Sequence, residues 1–114
     1  MNVITIKQHD TKGTFIFAPT IDGVVVLFAD LAGATVSFIM KGKADDDSQV
    51  AIKQPAAIVD DGNGNANFTY DPEAGDVAKS GKFRQEWEVI YPSGKRQTFP
   101  NGGYNTVQIL PDLG

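Results

Sequence analysis

Lys82-Phe83-Arg84-Gln85-Glu86-Trp87-Glu88-Val89-Ile90-Tyr91 is the stretch on which the fold turns. Phe83, Gln85, Trp87, Val89 and Tyr91 fall on one side of an extended chain and Arg84, Glu86 and Glu88 on the other. That period of two belongs to a strand with one face in a core and the other toward water or a partner. Upstream, residues 35–40 repeat the pattern, with Val36, Phe38 and Met40 inward and Thr35 and Ser37 outward. Residues 3–8 place Ile4 and Ile6 opposite Thr5 and Lys7, and residues 14–18 align Phe15 with Phe17. Residues 66–70, 96–99 and 104–110 read as further strands. The Val-Val-Val-Leu-Phe run at 24–28 is continuous rather than alternating, and reads as a strand. Residues 49–53 and 56–59 are weaker strands on either side of Pro55, which lacks a backbone donor and suits an edge or a break.

Turn chemistry separates these segments. Asp22-Gly23 and Asp60-Asp61-Gly62-Asn63-Gly64-Asn65 supply residues that tolerate positive φ, as tight hairpins require. Asp71-Pro72-Glu73-Ala74 opens a short helical turn that Gly81 closes after Ala78 and Lys79. The 12 Gly and 6 Pro recur between strands at intervals of about 8 to 12 residues, a spacing typical of sandwiches and barrels. No helix is long enough for a parallel crossover, so the prediction is an all-β, antiparallel, immunoglobulin-like sandwich of about eight to nine strands with one short helical turn.

With 114 residues the chain forms one domain, 1–114, with a single core. Fourteen acidic against ten basic residues give a charge of −4, which attracts neither nucleic acid nor an anionic membrane surface. The sequence has no cysteine, hence no disulfide, thiolate metal site or cysteine nucleophile. Its N-terminus lacks the pattern of a signal peptide, and no apolar run approaches the ~18 residues of a membrane span.

Each candidate for chemistry has a plainer reading. His9 beside Asp10 lacks an orienting partner and is read as part of a turn. Ser37, Ser48, Ser80 and Ser93 lie in no Gly-x-Ser-x-Gly elbow. Asp61, Asn63 and Asn65 have the spacing of the first calcium ligands of an EF-hand, but Ala66 and Pro72 stand where its Gly and final Glu belong. Asp45-Asp46-Asp47 reads as a solvated loop, and Gly62-x-Gly64 and Gly102-Gly103 as turns without the following helix a phosphate site needs. Catalytic residues, metal ligands and cofactors are therefore none by expectation, and the chain is expected not to be an enzyme. The Arg84, Glu86 and Glu88 face reads as solvated surface, with a partner as the lesser reading.

Two segments in order carry a resemblance. Ile4-Thr5-Ile6-Lys7-Gln8 with Asp10-Thr11-Lys12, and then Asp30-Leu31-Ala32-Gly33-Ala34-Thr35-Val36-Ser37-Phe38-Ile39-Met40-Lys41, resemble the N-terminal domain of the baseplate upper protein of Gram-positive tailed phages. Gly81-Lys82-Phe83-Arg84-Gln85-Glu86-Trp87-Glu88-Val89, with Ser93-Gly94-Lys95 and Thr98-Phe99-Pro100, is similar to the rest of that domain. The run at 24–28 is more apolar than the family's usual short connection. The resemblance implies a non-catalytic β-sandwich adaptor in the virion baseplate, made in a bacterial cytoplasm, linking the tail tip to receptor-binding proteins. It implies docking on other tail components such as a distal tail protein, in multiple copies, either as the first part of a longer protein or as a small protein of its own. The alternative is a carbohydrate-binding sandwich with Trp87 as a stacking platform. Trp87 is expected in the core instead, since it shares a strand face with Phe83, Val89 and Tyr91.

Overall fold

The computed structural model describes residues 3–8, 12–42, 52–77, 80–100 and 105–111. Ten strands follow one another: β1 Val3–Lys7, β2 Phe15–Phe17, β3 Thr20–Ile21, β4 Val24–Val25, β5 Thr35–Gly42, β6 Ile52–Asp60, β7 Ala66–Tyr70, β8 Gly81–Ile90, β9 Arg96–Phe99 and β10 Asn105–Leu110. The fold is all-β. Eight of these strands form one curled sheet in the order β1-β10-β8-β5-β6-β7-β2, with β9 also paired to β8, while β3 and β4 form a separate two-stranded ribbon.

The strand read from residues 82–91 is the spine of the sheet. Phe83, Gln85, Trp87 and Val89 are buried along it. Their alternation is what a strand with a covered face imposes. β5 runs antiparallel along its whole length, from Thr35↔Ile90 to Gly42↔Phe83, while β10 and β9 share the other flank in succession. The curl brings β2 and β7 over the inner faces of β5 and β8. Phe15 stacks on Phe38 with ring centroids 5.3 Å apart, Phe38 on Tyr70 at 4.4 Å, and Phe68 approaches Trp87 at 6.0 Å. Aromatic faces and edges at these separations contribute attraction beyond the area they bury.

Four expectations need correction. The run 24–28 is not one strand: only Val24–Val25 is a strand, and a 3-10 turn at Phe28–Leu31 follows. A continuous apolar run carries no period to say which side chains go inward, and here only Val26 is buried. Residues 49–53 and 56–59 are not two strands, since β6 is unbroken from Ile52 to Asp60, residues 49–51 lying outside the described part. Pro55 sits opposite Ser37, and pairing with β7 begins only at Ala57. At Pro55 the strand has one neighbour, so the missing N–H breaks no ladder. The sheet is not wholly antiparallel, because β1 pairs in parallel with β10 from Val3↔Thr106 to Lys7↔Leu110. The two strands come from opposite ends of the sequence, so no tight turn constrains their direction. Lastly, the described residues hold ten strands and two 3-10 turns, Phe28–Leu31 and Ala74–Val77.

The second of those turns is where a helical turn is expected, although Ala78 and Lys79 lie outside the described residues. Its anchor is the buried ring of Tyr70, whose hydroxyl donates to Asp76 Oδ2, and the same oxygen accepts from the Glu73 N–H at 2.9 Å. Burial first, and the Asp76 carboxylate second, push the Tyr70 hydroxyl well above its ordinary pKa. Tyr70→Phe should cost about 1.5–3 kcal/mol in urea unfolding, as for a bond to a charged acceptor. The folded-state pKa lies above the unfolded one, so this contribution is present below pH ~10 and is lost as the pH rises above it. Tyr70→Phe should therefore flatten the alkaline limb of the stability profile, and an unchanged limb would contradict this.

Candidate docking surface

Residues 13–40 contain no Lys, Arg or His, and their only charges are Asp22 and Asp30. This segment also makes the most prominent surface feature. The chain leaves the edge beside β7 at Pro19, runs out along β3, turns and returns along β4. It closes where the Val26 N–H donates to the Pro19 carbonyl at 3.1 Å. Thr20 faces Val25 and Ile21 faces Val24 in the ribbon. The turn needs positive φ at both central residues, and Asp22 at 51° with Gly23 at 79° provide it. Beyond the ribbon, the Val26 carbonyl accepts from the Ala66 N–H at 2.9 Å and the Phe28 N–H donates to the Gly64 carbonyl at 2.9 Å.

The ribbon is thus held at its base while its side chains face outward. Val24 is 69% exposed and Leu27 49%, and Ile21, Val25 and Phe28 are each about 40% exposed. Ile21 and Val24 are cross-strand partners and share one face of the ribbon, while Val25, paired with Thr20, lies on the other. Beside them is an open pocket of about 330 Å³ lined by Ile21, Val24, Val25, Leu31, Asp30 and Tyr91. The Tyr91 hydroxyl donates to Gln97 Oε1 at 2.7 Å, which fixes that wall. A second open pocket, about 380 Å³, lies between β1 and β2, with Ile4, Ile6, Thr14 and Phe15 among its walls.

The adjoining turn between β6 and β7 adds carboxylates. Asp60 Oδ1 accepts from the Gly62 and Gly64 N–H groups at 2.8 and 3.0 Å, and Asp61 Oδ1 from those of Asn63 and Asn65 at 2.7 and 3.2 Å. The bond from the Asn63 N–H does most to hold the Asp61 carboxyl below its ordinary pKa. The expected hairpin is present, built on the residues whose spacing raised calcium. Among the described residues no three metal-ligating side chains converge.

Other candidates fall elsewhere. His9, Asp10, Asp45, Asp46, Asp47, Ser48, Gly102 and Gly103 lie outside the described residues. Ser37 is opposite Glu88 on the outer face of the sheet, Ser80 is exposed, and the Ser93 Oγ accepts from the Lys95 N–H at 3.4 Å in the β8–β9 turn. The outer face of β8 carries Arg84, Glu86 and Glu88 at partial exposure, and Glu88 is ion-paired to Lys53 at 3.0 Å. It has the mixed charge of a solvated surface. Trp87 is fully buried and its indole N–H donates to Gln85 Oε1 at 3.3 Å, so it offers no face to a ligand.

Sequence reasoning passed over Ile21, Leu27 and Phe28 as surface residues. The available signal was the lack of alternation at 24–28 in a chain whose other strong strands alternate. Compared with known proteins, the chain matches no family model and no curated protein significantly.

Proposed function

We propose that the chain is a non-catalytic attachment module of a phage or prophage tail baseplate, joining the tail tip to receptor-binding proteins. The observation that carries this reading is the rigidly based, outward-facing apolar ribbon, which nothing in the described part of the chain covers. A small acidic domain keeps such a surface where another protein covers it. In this reading the curled sheet is an immunoglobulin-like sandwich, β2 and β7 forming the layer that closes over β5 and β8. The ring contacts of Phe15 with Phe38 and Phe17 with Trp87 support that description.

The ordered resemblance to baseplate upper proteins supplies the tail as the setting. Carbohydrate binding is less well supported, because its stacking platform, Trp87, is inside the core. The test is co-purification of the tagged domain with individually expressed tail proteins of the source phage. Retention of a distal tail protein at micromolar concentration is the expected result. Failure to retain any tail component would overturn the proposal.

A further inference from the structure

We infer that the apolar ribbon docks a protein segment presenting an aliphatic or aromatic anchor flanked by lysine or arginine. The anchor enters the pocket between Val24, Leu31 and Tyr91, and the cations meet the carboxylates around it. This rests on the attachment reading and names the surface and the chemistry of its partner.

The charge distribution selects the partner. Asp30 stands in the pocket wall and Asp22 at the ribbon tip. Asp60 and Asp61 occupy the turn against which Leu27 and Phe28 are bonded, Leu27 being bridged to Asn65. No cation lines the pocket among the described residues. An apolar centre with the Asp30 carboxylate in its wall is complementary to a partner segment that brings an apolar anchor and a cation, which gives encounter rate and specificity as well as contact.

A second copy of this chain fits poorly. Two such faces would set like carboxylates against each other. A larger partner can extend beyond the ribbon and a second copy on this face cannot do so without that repulsion. The turn at Asp22-Gly23 also fixes the ribbon before binding, which lowers the ordering cost.

The experiment has two arms. In the first, the domain is titrated against the purified distal tail protein by biolayer interferometry, as wild type, Val24→Asp, and the double variant Asp22→Asn with Asp30→Asn. All three substituted positions lie on the exposed ribbon or its rim, and circular dichroism and melting establish that each variant is folded. Val24→Asp should weaken binding at least tenfold. The double variant should weaken it roughly three- to tenfold at low salt and reduce its salt dependence. Wild-type affinity in both variants would overturn the inference while leaving the attachment reading standing.

In the second arm, two synthetic 12-residue peptides with the same Leu-Phe anchor, one flanked by arginines and one by glutamates, are titrated into labelled domain and followed by NMR. Shifts at Val24, Val25 and Phe28 with the arginine peptide and not the glutamate peptide support the inference. Equal shifts, or none, overturn it. Should no tail protein bind while the arginine peptide does, the baseplate assignment fails and the ribbon's chemistry stands.

Discussion

Trp87→Ala should leave the domain at most marginally folded at room temperature. Trp87 is fully buried at the centre of β8, with ring centroids 5.0 Å from Phe38, 6.0 Å from Phe68 and 6.2 Å from Phe17. Those three rings come from three different strands, so the indole is where the two halves of the curled sheet meet. Its removal opens a cavity that the stiff neighbouring aromatics cannot fill. Such truncations cost about 3–5 kcal/mol, against a total of about 5–15 kcal/mol for a native domain. The melting temperature should fall by more than ~10 °C. Trp87→Phe, which keeps a ring in place, should lose clearly less. A Trp87→Ala protein that melts within a few degrees of wild type would show that the two halves do not depend on this contact.

Gln85→Leu should lose about 2–4 kcal/mol for a different reason. Gln85 is 1% exposed, and its Oε1 accepts both the Trp87 indole N–H and the Asn105 amide, each at 3.3 Å. Leucine fits the volume and removes the acceptor. Two buried donors are then left without a partner, at about 1–3 kcal/mol each. The Gln85 Nε2 has no partner among the described residues, so its removal offsets part of that loss. Asn105 faces Gln85 across β8 and β10, which makes the pair a link between strands as well as a buried polar contact. Urea unfolding of Gln85→Leu, Asn105→Leu and the double variant checks this. The two losses should be non-additive, because Gln85→Leu orphans the Asn105 amide that the double variant removes, while Asn105→Leu leaves Gln85 Oε1 bonded to the Trp87 indole. Simple additivity would contradict the coupling.

Much of this architecture was legible because alternation and turn chemistry are local. Val36, Phe38 and Met40, and Phe83, Trp87 and Val89, are buried as their period of two requires. The Asp-Gly and Asn-Gly pairs mark tight turns because few residues accept the positive φ found at Asp22, Gly23, Gly62 and Gly64. What was not legible depended on neighbours distant in sequence. Pro55 pointed to an edge, but nothing around it says that the strand runs unbroken through it, and nothing in Val3–Lys7 says that its partner is the last strand and parallel to it. The ribbon was hidden for a related reason. The run 24–28 read only as one strand, and only the bonds of Val26 to Pro19 and Ala66 show the chain leaving the sheet and returning.

The most direct measurement is hydrogen–deuterium exchange of the domain alone and bound to the purified distal tail protein. The account predicts new protection concentrated at residues 20–28, with the outer face of β8 and its neighbours unchanged. Unaltered exchange at 20–28, with protection instead on peptides covering Arg84, Glu86 and Glu88, would contradict it.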